Sequence, residues 1–461
     1  MNNIIYKFTG NPFVDAGIWA ICQWSEKRKP EDLDKEDLRK IIEDVVPLYL
    51  TDKWNSSTLH GMIFPNHGKI SNPGLKRYSY NERKNKALDY FNNLIEDSSP
   101  LGNSGNCTAC GRRDTKQRIT KSEVPLTGSK HLINFFSFGT DGADYCPACV
   151  FAIQFSPLVL YQCGKLLLVH SNSDKIMYSW SKKAIHNIQE QMLTKSYTGC
   201  FNEDFTNARN ALFHIIQDII LDYDTNWLDE KPSINLYHFT NYNQPNPECL
   251  SIYHVPTSVF RFLAYVKQYE KYNDWKKIVK KGYHTKKGYK VNWEKFKDVD
   301  VYRKFENYVY NNLLENKSII RYFFNRKNRE VIGDWILFTF YLKEVRKMDN
   351  KRLETLKRVG DDLSEYIKLT DNTKRMVGLE TAKNYNSFRN VLRKIIKDRI
   401  KSNAEKPLFS LEEYIEDMFP DGNLGWRETQ DLLLFRIYEN LHDWMMSKEL
   451  PEDDEESNDK N

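Results

Sequence analysis

The sequence has no uninterrupted apolar stretch near the roughly 20 residues that a membrane helix needs. A basic-then-apolar leader is also missing, because Asp15 breaks the short apolar run near the start. Three signatures are absent: a GxxxxGK[ST] phosphate cradle, a GxGxxG turn after a strand and a GxSxG elbow. The stretch Gly10 to Gly17 has a glycine at each end, but Pro12 removes an amide donor that a phosphate cradle would use. No internal repeat is present. A large excess of one sign of charge is lacking as well: 68 Lys and Arg stand against 63 Asp and Glu, a net charge of +5. Such a balance does not by itself imply a nucleic-acid partner, so the distribution of the charge has to decide. Cys22, Cys163, Cys200 and Cys249 are scattered and outline no disulfide framework. These absences lead to the expectation of a soluble protein of the reducing cytoplasm, with no membrane partner.

What the chain does have is length and aromatic mass. Its 461 residues suffice for about two to four domains, and 27 Tyr with 25 Phe provide for large cores.

The most informative pattern is Cys107-Thr-Ala-Cys110 and Cys146-Pro-Ala-Cys149. Each pair offers two thiolates from one tight turn, and two pairs complete the tetrahedral all-sulfur shell that zinc prefers. Gly111 suits the positive-φ turn of such a knuckle. A closed four-cysteine shell leaves no open position for water or substrate, so Zn2+ is expected to be structural.

Around this segment the pattern is mixed. Residues 3–8 read as a strand. Asn11 and Pro12 read as a helix cap and first helical residue, with helix through Phe13, Ile18, Ile21 and Trp24. Further helices are expected at about 31–50, 80–96 and 203–222. A hairpin is expected around Cys163-Gly164, and strands at 233–240 and 249–255. The stretch 54–80 reads as a long, ordered polar loop; such loops are often functional. Its Asn66, Lys69, Asn72, Lys76 and Arg77 can address base edges or phosphates, although Asn66 and Asn72 suit turns equally well. Beyond residue 256 the chain reads as mostly helical, with helices near 333–367, 377–403, 410–418 and 426–447 and breaks at Gly360 and Gly378. The fold class is therefore α+β: a mixed N-terminal domain over 1–325 with a four-cysteine insert at about 100–150, then an all-α bundle over 326–450. An acidic, disordered tail is expected at 451–461.

Two basic features stand out. Residues 276–290 hold seven lysines and no acid, among them Lys276, Lys277, Lys280, Lys281, Lys286 and Lys287, interleaved with Tyr283 and Tyr289. Lysines attract phosphates and aromatics stack bases; a solvated loop is the plain alternative. Residues 343–401 carry seventeen Lys and Arg against nine Asp and Glu, and Arg389, Arg393, Lys394, Lys397 and Lys401 recur at helical spacing. One helix face should be basic, as a solvated surface or as a groove that follows a nucleic-acid backbone.

The residues Tyr6-Lys-Phe-Thr-Gly-Asn-Pro-Phe-Val-Asp-Ala-Gly17 resemble the opening of the large subunit of the type I-B CRISPR Cascade. The CxxC pairs fall where that family carries its zinc finger. Leu166-Leu-Leu-Val-His-Ser171, Tyr237-His-Phe-Thr-Asn241, Ile252-Tyr-His-Val-Pro256 and Val259-Phe-Arg-Phe-Leu263 are similar too, so the likeness spans residues 6–263. The helical C-terminal part fits by architecture alone.

The resemblance implies a non-catalytic subunit of an RNA-guided antiviral complex. Its partners would be crRNA, target double-stranded DNA, the Cascade backbone and repeat-processing subunits, a small subunit, and a helicase-nuclease recruited after target binding. Such a subunit anchors near the crRNA 5′ end, recognises the short motif beside the target (the PAM) and stabilises the opened DNA. On this basis loop 54–80 is the candidate PAM reader, and the lysine run and the basic helix are candidate strand-binding surfaces. Met348 and Met376 are candidate internal starts for a separate small subunit.

Two alternatives compete. One is a zinc-containing endonuclease of the His-Asn-His type. The stretch that would carry its general base reads Lys121-Ser122-Glu123-Val124-Pro125, without the histidine, although His131 and Asn134 lie nearby. The other is a zinc-stapled interaction protein with no nucleic-acid role.

Overall fold

The computed structural model describes residues 7–55, 62–96, 106–111, 118–128, 142–201, 205, 207–221, 232–241, 249–283 and 305–448. The expected strand at 3–8 and the tail at 451–461 lie wholly or largely outside the described residues. The chain is α+β and divides into two compact units. Residues 1–257 with 292–305 form the first, and 258–291 with 306–461 form the second.

In the first unit, α1 (Pro12–Trp24) starts as the sequence dictates. Asn11 accepts from the amides of Phe13 and Val14, and Pro12 occupies the first turn. α2 (Lys35–Tyr49) opens on a reciprocal capping box between Asp34 and Asp37. α3 (Tyr80–Glu96) follows a similar exchange, in which the Ser79 amide and hydroxyl both donate to Glu82, each at 2.8 Å. The short strands β1 (Arg118–Ile119) and β2 (Ala143–Asp144) pair antiparallel, and α4 (Pro147–Phe155) leaves directly from the second cysteine pair.

A four-stranded antiparallel meander, β3 (Tyr161–Cys163), β4 (Lys165–Ser171), β5 (Ile234–Phe239) and β6 (Leu250–Val255), completes the unit with α5 (Asp174–Thr194) and α6 (Ala208–Leu221). Gly164 turns the first hairpin with φ +67°, as the sequence suggests. β4 is central and buries Leu166, Leu167, Leu168 and Val169 in succession, so its apolar run is continuous rather than alternating. Leu166, Leu168 and His170 share one face with Asn235, Tyr237 and Phe239. α1 crosses that face, with the Phe13 and Phe239 rings edge to face at 5.1 Å.

The second unit begins with α7 (Thr257–Gln268) and α8 (Tyr272–Lys281), continues through α9 (Tyr308–Leu314) and the hairpin β7 (Phe324–Asn325)–β8 (Glu330–Val331), and ends in a helical array. The division falls at residue 257, well before the domain boundary at 325 expected from the sequence. The reason lies in long-range packing: the Phe262 ring sits 5.3 Å from Trp275 and 5.7 Å from Tyr341, and Arg261 pairs with Glu344.

The array also corrects the expected helix breaks. The single helix expected over 333–367 is two, α10 (Trp335–Glu344) and α11 (Asn350–Thr370), because Lys347 adopts φ +57° and Asp349 caps the next helix. Gly360 is no break. It lies inside α11, and a Cβ there would stand 2.8 Å from the Cβ of Arg436 on α14 (Trp426–Met446), so its missing side chain permits a close helix crossing. Gly378 lies inside α12 (Thr373–Glu380), and the break comes after it, where Asn384 and Ser387 cap α13 (Tyr385–Lys401) reciprocally. The stretch expected as helix at 410–418 forms a π-helical turn, Glu413–Met418. Inside the unit, Arg329 and Glu380 form a buried ion pair. Arg329 grips Glu380 through two hydrogen bonds of 2.8 and 3.0 Å, and the Tyr438 hydroxyl donates to the same carboxylate at 2.8 Å.

Candidate metal centre and nucleic-acid surfaces

The two CxxC turns meet. The four sulfurs of Cys107, Cys110, Cys146 and Cys149 lie within 4.8 Å of one another, with all but Cys110 buried. Cys110 and Cys146 are 3.6 Å apart at sulfur, far beyond the ~2.05 Å of a disulfide. Four thiolates about 2.3 Å from one tetrahedral zinc ion stand about 3.8 Å apart, so this spacing fits a metal shell.

Each ligand is placed by local backbone chemistry. The Gly111 amide donates to the Cys107 carbonyl at 2.8 Å with Gly111 at φ +74°, the expected knuckle turn. The Thr108 amide donates to the Asp144 carbonyl at 2.7 Å, which ties the first turn to β2. Cys146 is the N-cap of α4 and Cys149 sits in its first turn. Hydrogen bonds from Cys146 and Cys149 lower the Cys107 thiol, while the bond with Cys107 raises Cys149 most. Four negative sulfurs this close repel one another, so a fully ionised set requires a cation among them.

The cysteine segment is anchored to α1 through Gly17. A Cβ at Gly17 would fall 1.8 Å from the Ala152 carbonyl oxygen, so only glycine lets α1 lie against α4. Asp15, 4% exposed, clasps the preceding turn: it accepts from the Thr9 amide at 2.7 Å and the Gly10 amide at 2.9 Å, and meets His170 Nε2 at 3.1 Å. Asn11 also hydrogen-bonds the Tyr145 phenol, which burial chiefly pushes up to about 12. The Thr-Gly-Asn-Pro-Phe-Val-Asp-Ala-Gly stretch is thus a structural clasp around the cysteine segment.

The polar loop is ordered where it is described. Ile63, Phe64, Ile70 and Leu75 are buried, the Ser71 hydroxyl donates to the Phe64 carbonyl at 3.2 Å, and Asn241 Nδ2 donates to the Ile63 carbonyl at 2.6 Å. Its organiser is His67, a residue that sequence reasoning missed because it sits among exposed polar neighbours. His67 is 1% exposed, accepts the Ile70 amide on Nδ1 at 3.1 Å, and lies edge to face with Tyr90 at 5.0 Å. Burial lowers its pKa to about 3. Asn66, at φ +60°, and Lys69, Lys76 and Arg77 are exposed. Asn72 is engaged locally, its Oδ1 accepting from the Gly74 amide at 2.8 Å to cap the short helix Pro73–Arg77. The turn role therefore holds for both asparagines.

The other basic residues separate into two groups. Lys276, Lys277, Lys280 and Lys281 form the last turns of α8 rather than an open run. Lys277 pairs with Asp274 at 3.2 Å, Lys276 lies over the Tyr272 ring, and Lys281 donates to the Phe324 carbonyl at 2.8 Å. Lys286 and Lys287 lie outside the described residues. On α13 the expected face exists: Phe388, Leu392 and Ile395 are buried, while Arg389, Arg393, Lys394 and Lys397 are exposed. Asp398, the one acid on this helix, is turned toward Arg375 at 2.7 Å and the Tyr366 hydroxyl.

At the position where a nuclease would carry its base, the Glu123 carboxylate accepts from the Tyr90 hydroxyl at 3.1 Å, and burial raises its pKa. His131 and Asn134 lie outside the described residues. Among the described residues no helix is long and apolar enough to cross a membrane.

No curated protein and no solved structure matches the chain. Residues 101–161, which hold all four clustered cysteines, match the family described as CRISPR-associated protein (Cas_CXXC_CXXC), and this match supports a CRISPR-associated protein with a paired CxxC segment.

Proposed function

We propose that the chain is a non-catalytic large subunit of a type I-B CRISPR surveillance complex, binding crRNA and target DNA around a structural zinc site. The match over the paired cysteines carries this reading. A shell of four mutually close thiols supports a structural Zn2+, since four sulfurs fill a tetrahedral ion and leave no place for a reacting water. In RNA-guided recognition base pairing reads the long sequence, and protein reads a short duplex element and shape. The rigid loop at 62–79, presenting Asn66, Lys69, Lys76 and Arg77 from a packed base, suits the duplex element. The exposed row Arg389, Arg393, Lys394 and Lys397 suits a strand backbone, because each phosphate neutralised releases counterions.

Purification of the complex with its neighbours tests the reading directly. Co-purifying crRNA supports it, and a complex that assembles without RNA refutes it. Replacing Arg389, Arg393 and Lys397 with alanine should flatten the salt dependence of DNA binding by up to about three log units of slope. An unchanged slope would remove this helix from the strand path.

A further inference from the structure

A separate surface of the first unit carries a cleft with an uncancelled positive lining. The turn after α1 and one face of α5 enclose a cleft of about 290 Å³, lined by Gln23, Arg28, Tyr178, Lys182 and His186 among others. Tyr178, Lys182, His186 and Gln189 recur at one-turn spacing, so a single face of α5 forms one wall. The other wall is the C-terminal end of α1, whose partial negative charge would ordinarily discourage an anion. Here the end is closed on itself: the amides of Ser25, Glu26 and Lys27 donate to the carbonyls of Ile21, Gln23 and Cys22. The cations of the cleft are therefore not needed to satisfy it.

The charges do not cancel within the cleft. Lys27 is shared with Asp37 at 3.6 Å, and His186 lies 3.3 Å from Glu190. Glu26 is the acid among the lining residues. Arg28 and Lys182, both exposed, have no carboxylate partner among the described residues. Gln23 lines the same cleft, and its Nε2 is buried with no hydrogen-bond partner among the described residues. A buried amide donor left unpaired is costly, and a ligand oxygen would satisfy it. Tyr178, held edge to face against Trp19 at 6.3 Å, adds a rigid aromatic wall.

We propose that this cleft binds a phosphate group, with Arg28 and Lys182 neutralising its charge, Gln23 Nε2 donating to an oxygen, and the Tyr178 ring flanking whatever the phosphate carries. Arginine suits a phosphate because its planar fork donates two parallel hydrogen bonds. The volume admits a group of about nucleotide size. The inference does not rest on the roles given above to the loop and to α13.

Equilibrium dialysis of the full chain distinguishes the sources of such a phosphate. The probes are inorganic phosphate, a nucleoside 5′-monophosphate, and a short RNA with and without a 5′-terminal phosphate. Saturable binding of at least one probe, weakened about tenfold or more by Arg28→Ala with Lys182→Ala, is the expected result. The tightest probe then names the source. Gln23→Leu should weaken binding severalfold with an unchanged melting temperature, and Lys383→Ala, an exposed lysine of the second unit, should have no effect. Absence of saturable binding for every probe overturns the proposal. So does binding that the Arg28 and Lys182 substitutions leave untouched in a protein that still melts like wild type.

Discussion

Gly17→Ala is the most demanding test of how the metal segment is held. The added methyl carbon would stand 1.8 Å from the Ala152 carbonyl oxygen and 2.4 Å from its carbon. Ordinary contact begins near 3.4 Å, so α1 and α4 must part by about 1.5 Å. The obstacle is backbone, which cannot rotate away as a side chain can. Overpacking of this kind costs about 1–3 kcal/mol, and a backbone clash belongs at the upper end. With a urea dependence near 3 kcal/mol per molar for a unit of this size, the midpoint should fall by about 1 M. α4 carries Cys146 at its cap and Cys149 in its first turn, so the shift reaches the four-cysteine cluster. Metal sites tolerate about 0.2 Å of ligand displacement, and a chromophoric chelator should strip zinc from the variant faster. Gly68→Ala is the internal control, since nothing lies within 4 Å of a Cβ there; its midpoint should move by less than about 0.5 kcal/mol in equivalent stability. A Gly17→Ala protein with wild-type midpoint and wild-type zinc retention would refute the close-packing argument.

His67 has a folded-state pKa lowered by burial to about 3, against 6.5 for the free side chain. Between those values the unfolded chain takes up a proton that the folded chain refuses, so stability is lost as pH falls from about 6.5 toward 3. His67→Gln should flatten that part of the pH profile in urea unfolding; parallel profiles would show that His67 does not titrate this way. In the second unit, Glu380→Gln leaves Arg329 buried without its counter-charge and should cost about 3–5 kcal/mol, read as a loss of helical signal at lower urea. A change under 1 kcal/mol would show that the pair is screened by water. Cys107→Ser should lower bound zinc measured by mass spectrometry and reduce solubility; full zinc content would remove Cys107 from the shell.

Local chemistry was legible in the sequence. Asn11 with Pro12, and Gly164 in its hairpin, act within three or four residues of themselves, and turn and cap preferences report such short-range needs directly. The helical spacing of Arg389, Arg393, Lys394 and Lys397 likewise announced one basic face on α13, opposite the Phe388, Leu392 and Ile395 that the structure buries. The lysine run was less legible. Asp274 lies just upstream of it, and the Phe324 carbonyl that Lys281 reaches is 43 residues away.

By itself the sequence determined the donor set, since two CxxC turns offer four sulfurs wherever the chain brings them together. It also determined the α+β class, through the change from mixed to helical periodicity along the chain. Only the tertiary structure decided what Gly17, Asp15 and His67 are for. Each answers to a partner distant in sequence or to burial: Ala152 for Gly17, His170 for Asp15, and burial beside Tyr90 for His67. Close approach and desolvation depend on which segments meet in space, and neither leaves a periodic trace in the residues nearby.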